Sequence, residues 1–136
     1  MRSILVVEDD ADYREHLEML LSEAGYCVTT AGCADEAFQC LRRDEFDLVL
    51  CDLHLPFALD ERIVRYEYSV EVGIRTINEL RWVFPHLPIV AMTAALPIDL
   101  DRLASEQEFV PVLYKPFSRT QLMQCLQPQA ALELMQ

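Results

Sequence analysis

Polar side chains of the kinds that handle metal and phosphate follow directly after four short apolar runs of the sequence. Carboxylates that converge on one spot repel each other unless a divalent cation neutralises them, and Mg²⁺ prefers such hard oxygen ligands. A lysine and a hydroxyl supply a cation and a donor for phosphoryl oxygens. The residues concerned are Glu8, Asp9 and Asp10 after the first run, Asp52 after the second, Thr93 after the third and Lys115 after the fourth. An aspartate flanked by metal and lysine can accept a phosphoryl group. These residues therefore predict Mg²⁺-assisted phosphoryl transfer to Asp52.

The elements that must position these residues can be read from the apolar pattern. Short β-type runs at 4–7, 27–30, 48–51, 89–92 and 110–114 alternate with helical patterns at 13–24, 34–41, 73–84, 98–107 and 118–126. Most of the runs are wholly apolar, which is typical of strands buried on both faces. Five alternations predict a doubly wound α/β fold, a five-stranded parallel sheet with helices on both faces. Ligands of such sheets bind at the carboxyl ends of the strands, where the polar residues are expected.

Capping residues mark the start of two predicted helices. Ser118 and Gln121 have the spacing of a capping box. Asp10 or Asp12 can cap the helix that follows the first strand, since acids favour helix N-termini in any case. We therefore interpret Asp10 and Asp12 as caps and Asp9 as a metal ligand.

Composition and charge limit the classes of function. The chain has 136 residues, enough for one domain, and a net charge of −12, which repels phosphate backbones and anionic lipids. No run of 18 apolar residues occurs, and the five cysteines form no C-x-x-C pair. We therefore expect a cytoplasmic protein with buried, reduced thiols that binds neither nucleic acid directly nor a membrane.

Four segments of the sequence resemble the receiver domains of two-component response regulators, the family that includes the chemotaxis regulators. They are ILVVEDD at 4–10, DLVLCDLHLP at 47–56, MTA at 92–94 and YKPF at 114–117. Each segment is a weak signal alone, but the four occur in the family's order and each lies at a predicted strand end. The resemblance covers residues 4 to about 127. It implies a flavodoxin-like sheet with strand order 2-1-3-4-5.

The resemblance also implies a role for each polar residue. Asp52 is the phosphoacceptor for a histidine kinase or a phosphotransfer protein, and it belongs to the Mg²⁺ site. In that site Asp9 binds the ion directly and Glu8 binds it through water. The backbone carbonyl of His54 is a further ligand, while the His54 side chain is expected to be exposed. The remaining two residues act on the phosphoryl group. Thr93 forms a hydrogen bond with it, and Lys115 forms an ion pair with it. We expect the lysine to matter for the phosphorylated state rather than for folding.

The segment after Asp52 departs from the family pattern. Asp52 and Thr93 lie 41 residues apart, more than in ordinary receivers, and the extra residues fall at 57–72. Alternating apolar residues there fit a strand, while a second spacing fits a helix continuous with the third helix. The insertion is either a loop decoration or a contact for a partner or a second copy of the chain. In addition, Val112 stands where receivers often carry an aromatic switch residue, so that switch is not carried over.

These observations predict a receiver domain at 1–127, with an insertion at 57–72 and a short C-terminal tail at 128–136. We expect a phosphoaccepting switch rather than an enzyme, which signals to an unknown downstream protein, alone or as a homodimer. One alternative is a Mg²⁺-dependent phosphohydrolase with an aspartate nucleophile, although such enzymes usually carry a second acid where this chain has His54. The other alternative is a pseudo-receiver that binds partners without phosphate. The complete set of polar residues argues against it.

Overall fold

A parallel five-stranded sheet forms the centre of the part of the chain that the computed structural model describes, residues 2–55, 66–94 and 110–126. The strands are β1 (Ser3–Val7), β2 (Cys27–Ala31), β3 (Leu48–Asp52), β4 (Ile89–Thr93) and β5 (Val112–Tyr114). The helices within the same residues are α1 (Ala11–Glu23), α2 (Ala34–Arg43), α3 (Tyr66–Val83) and α4 (Arg119–Cys125). The strand order is β2-β1-β3-β4-β5, and all neighbouring strands are parallel. The predicted doubly wound fold and its strand order are therefore confirmed.

Helices cover both faces of the sheet, as the side chains of β1 show. Leu5 and Val7 pack into one core with α2 and α3, whereas Ile4 and Val6 pack into a second core with α1 and α4. Successive side chains of a strand point to opposite faces, so a strand with helices on both sides must be apolar at every position. The helical residues of the first core are Ala37, Cys40, Leu41, Ile74, Ile77 and Leu80, and those of the second are Leu17, Leu21 and Leu122.

Both predicted helix caps are present. Asp10 is the N-cap of α1, and its side chain accepts hydrogen bonds from the backbone N–H groups of Asp12 and Tyr13. Ser118 and Gln121 form the capping box of α4, in which each side chain accepts from the other's backbone N–H. These caps begin the two helices shortly after β1 and β5, and they keep the turns that carry Glu8 and Lys115 short.

The third helix begins earlier than predicted, at Tyr66. The helical interpretation of the insertion is therefore correct for residues 66–72, and the strand interpretation is wrong there. Apolar residues in this stretch satisfy periods of 2 and 3.6 alike. Extending an existing helix needs no new nucleus, which favours the helix. Residues 57–65, the predicted helix at 98–107 and the tail at 128–136 lie outside the described residues, and the domain limits stay predictions.

The register of the sheet brings the functional strand ends to one edge. Val7 of β1 pairs with Cys51 of β3, and Thr93 of β4 pairs with Tyr114 of β5. β5 begins two residues later than predicted because Pro111 has no N–H for the ladder, although its carbonyl still accepts from the N–H of Ala91. The residues at and after the ends of β1, β3, β4 and β5 therefore emerge side by side.

Candidate functional site

Three carboxylates meet beyond the carboxyl ends of β1 and β3. One oxygen from each of Glu8, Asp9 and Asp52 lies within 4.8 Å of the others. Glu8 and Asp52 are buried, whereas Asp9 is exposed. The structure thus brings together the acidic residues that the sequence placed at neighbouring strand ends. Such a set of hard oxygen donors, open to solvent through Asp9, fits a divalent cation of the Mg²⁺ type.

The Lys115 ammonium bridges the two buried carboxylates. Its Nζ donates to Glu8 Oε2 at 2.9 Å and to Asp52 Oδ2 at 3.1 Å. The same atom lies 4.4 Å from the centroid of the Tyr13 ring, and that ring makes an edge-to-face contact with Phe117. The face of an aromatic ring attracts a cation. The lysine is therefore held by two carboxylates and by the first turn of α1.

The His54 side chain is partly buried, so the expectation that it is exposed was wrong. Its backbone N–H donates to Asp52 Oδ1 at 2.9 Å, and its imidazole Nε2 lies 3.2 Å from the Thr93 hydroxyl. The turn after β3 directs the ring towards the end of β4, where Thr93 is fully buried. Sequence spacing cannot show this direction, because it depends on the turn and not on the residue type. The metal-binding role of the His54 carbonyl stays a prediction.

Burial and crowding raise the pKa values of Glu8 and Asp9, the acidic pair that follows β1. The pKa of Glu8 rises from 4.5 to about 8, first because burial disfavours the charged form and then because Asp52 lies beside it. Burial and the charge of Asp52 also raise the pKa of Asp9. Burial lowers the pKa of Lys115, but Asp52 and Glu8 outweigh that effect, so the pKa of the lysine is raised. Without a metal, Glu8 therefore keeps a proton near neutral pH.

Mg²⁺ binding is expected to strengthen as the pH rises towards about 8 and then to level off, because carboxylate ligands must be deprotonated and the pKa of Glu8 is raised to about 8. Calorimetry in buffers of different ionisation enthalpy should detect proton release near neutral pH. Asp9→Ala should remove most of the binding, whereas Asp35→Ala, at an exposed position of α2, should leave it unchanged. Binding that is independent of pH and insensitive to Asp9→Ala would place the cation elsewhere.

Three residues that the sequence analysis missed also shape the site. Tyr13 contacts Lys115, and the guanidinium of Arg14 donates to the backbone carbonyl of Glu8 at 2.9 Å. Gly73 of α3 lies so close to Leu53 that a Cβ there would overlap the Leu53 backbone. The signal for Gly73 was present in the sequence, since it is the one glycine between Asp52 and Thr93 and lies inside a helical pattern. No spacing rule points to the other two.

The comparison with protein families tests the resemblance that the four segments suggested. The family model for the response regulator receiver domain matches residues 4–127. The chain belongs to this family. The resemblance based on the four segments is thereby confirmed, and neither the phosphohydrolase nor the pseudo-receiver is favoured.

Individual relatives support the same assignment. The chain is 33% identical over 121 residues to the transcriptional regulatory protein ZraR of Klebsiella oxytoca. The matched residues make up 88% of this chain and 24% of ZraR. It is 28% identical to the response regulator TrrA of Thermotoga maritima, with a TM-score of 0.68 and 91% of this chain and 95% of TrrA covered. The chemotaxis protein CheY4 of Vibrio cholerae, at 23% identity, a TM-score of 0.73 and coverage of 93% and 96%, shows the fold alone.

The receiver spans about a quarter of the length of the curated relatives that it matches first. The activities of those longer proteins are therefore not transferred to this chain. Among the residues that the structure describes, no helix has the length and apolar character needed to cross a bilayer.

Proposed function

We propose that the chain is a phosphoryl-accepting switch in which Asp52 takes a phosphoryl group from a histidine kinase or a phosphotransfer protein with the help of Mg²⁺. The observation that carries this proposal is the setting of Asp52. Its carboxylate lies at the end of β3, between an acidic pair that fits a divalent cation and the ammonium of Lys115. In further support, the related TrrA has been solved in complex with Mg²⁺-BeF.

The residues of the site suit the chemistry of this transfer. A carboxylate oxygen of Asp52 attacks phosphorus, the bond from phosphorus to the donor's imidazole nitrogen breaks, and the leaving imidazole takes up a proton. Lys115 neutralises negative charge on the transferred group, and the Thr93 hydroxyl donates a hydrogen bond to one of its oxygens. Glu8, Asp9, Asp52 and the His54 carbonyl would hold Mg²⁺, which supplies charge neutralisation at the phosphoryl oxygens.

The proposed protein is a switch and not an enzyme, with at most slow hydrolysis of its own acyl phosphate. We place it in the cytoplasm, where it would receive phosphate from the kinase side and signal through contacts with a downstream protein, alone or as a homodimer. Its acidic surface, with a net charge of −12, argues against direct contacts to nucleic acid.

Incubation with a small phosphodonor and Mg²⁺ is expected to add the mass of one phosphoryl group to the intact chain. Asp52→Asn should abolish this gain, because an amide cannot form the acyl phosphate. The matched control is Asp35→Asn, which changes an exposed aspartate of α2 and should be phosphorylated like the wild type. Unchanged labelling of the Asp52→Asn protein would place the acceptor at another residue.

A further inference from the structure

A hydrogen-bonded bridge through His54 joins Thr93 to the Asp52 oxygen that Lys115 does not contact. The His54 backbone N–H holds Asp52 Oδ1, and the His54 imidazole reaches Oγ1 of Thr93 at 3.2 Å. Both oxygens of the Asp52 carboxylate are thus held, since Lys115 binds the other one, Oδ2. The bridge joins the acceptor to the hydroxyl that the proposed function assigns to the phosphoryl group.

The Thr93 hydroxyl therefore has two competing uses. When Nε2 accepts, the imidazole occupies the one proton that the hydroxyl could donate to a phosphoryl oxygen. When Nε2 donates instead, the contact still fixes the hydroxyl oxygen on the His54 side. Burial makes the competition effective, because Thr93 is fully buried and its side chain has little freedom to satisfy both groups at once.

We propose that His54 is a positioning residue whose imidazole holds the Thr93 hydroxyl in the unphosphorylated protein and releases it when Asp52 is phosphorylated. This inference rests on the proposed function. The strength of the His54–Thr93 hydrogen bond then sets how readily phosphorylation switches the protein. His54 does not itself react with the phosphoryl group, and its effect passes through Thr93.

The backbone of Thr93 connects the release of its hydroxyl to the neighbouring strand β5. Its carbonyl accepts from the N–H of Lys115 at 2.7 Å, and Thr93 pairs with Tyr114 in the ladder between β4 and β5. Tyr114 is 37% exposed. A shift of the Thr93 backbone therefore bears on the β5 backbone at Tyr114 and on the lysine that binds Asp52.

The test compares variants that separate the hydrogen bond from the bulk of the ring. His54→Phe keeps an aromatic ring without a nitrogen, while His54→Gln keeps a polar group that can bond to Thr93. We expect His54→Phe to increase the rate of phosphorylation by a small donor about fivefold, the factor that corresponds to one net hydrogen bond. His54→Gln should restore a rate near that of the wild type, which loss of ring packing alone would not do.

A double-mutant cycle with Thr93→Val completes the test. If the bridge acts as proposed, the effect of His54→Phe on phosphorylation and on urea unfolding disappears in the Thr93→Val background. An undiminished effect in that background, or equal behaviour of the Phe and Gln variants, overturns the inference. Wild-type protein that takes up no phosphate overturns the proposed function and the inference with it. Normal phosphate uptake without energetic coupling between His54 and Thr93 overturns the inference alone.

Discussion

Gly73→Ala is expected to destabilise the domain and to disable its site, although alanine is the better helix former. The added Cβ would overlap the carbonyl oxygen, Cα and carbonyl carbon of Leu53. All three are backbone atoms, so no side-chain rotation can relieve the overlap, and either α3 or the turn after β3 must move. Overpacking of this kind costs about 1–3 kcal/mol. The gain in helix propensity returns only about 1 kcal/mol.

The site should suffer because Leu53 lies between Asp52 and His54. Displacing its backbone moves the acceptor carboxylate and the predicted metal-binding carbonyl together. Urea unfolding, Mg²⁺ titration and phosphorylation measured on the same variant should therefore all show a loss.

Gly25→Ala is the matched control for Gly73→Ala. Gly25 has a positive φ of 97° and nothing within 4 Å of the added Cβ. Alanine there should cost about 1–2 kcal/mol through backbone strain but leave Mg²⁺ binding and phosphorylation intact. A Gly73→Ala protein with normal stability and normal phosphorylation would mean that α3 does not constrain the turn after β3.

The sheet and the acidic cluster were predictable because both follow from local patterns. A wholly apolar run such as residues 4–7 needs cover on both faces, and that requirement leads to a doubly wound parallel sheet. Once the sheet is parallel, residues that follow its strands must share one edge. Glu8, Asp52 and Lys115 could therefore be assigned to one site without knowledge of the distances between them.

The other features depend on packing between distant parts of the chain. The direction of the His54 ring is set by a turn and by Thr93, 39 residues later. The contact of Tyr13 with Lys115 requires α1 to lie against the turn after β5. At residues 66–72 the pattern itself was ambiguous, and continuity with the rest of α3 decided the outcome. Neither periodicity nor motif spacing contains this information.

Lys115→Met is expected to cost the metal-free protein about 3–5 kcal/mol of unfolding free energy, the usual penalty for removing one partner of a buried ion pair. The sequence alone suggested a role in the phosphorylated state rather than in folding, and the two ion pairs revise that expectation. The side chains of Glu8 and Asp52 are only 2% and 3% exposed, and Lys115→Met removes the ammonium that binds both of them. Arg43→Met is the control, because the pair with Asp44 is exposed and should matter little.

The pH dependence of this loss distinguishes a charge effect from a packing effect. The folded state holds the Glu8 proton more tightly than the unfolded chain, so the contribution of Glu8 to the unfolding free energy falls as pH rises from 4.5 to about 8 and then levels off. The limiting slope for one proton is about 1.4 kcal/mol per pH unit. Lys115 lowers the pKa of Glu8, so in Lys115→Met that fall should continue above pH 8 and the difference from the wild type should widen. Urea unfolding with a chelator at neutral and alkaline pH measures this difference, and adding Glu8→Gln should remove the widening. A loss that is the same at both pH values would assign the effect to lost packing of the lysine stem against Tyr13 rather than to the buried charges.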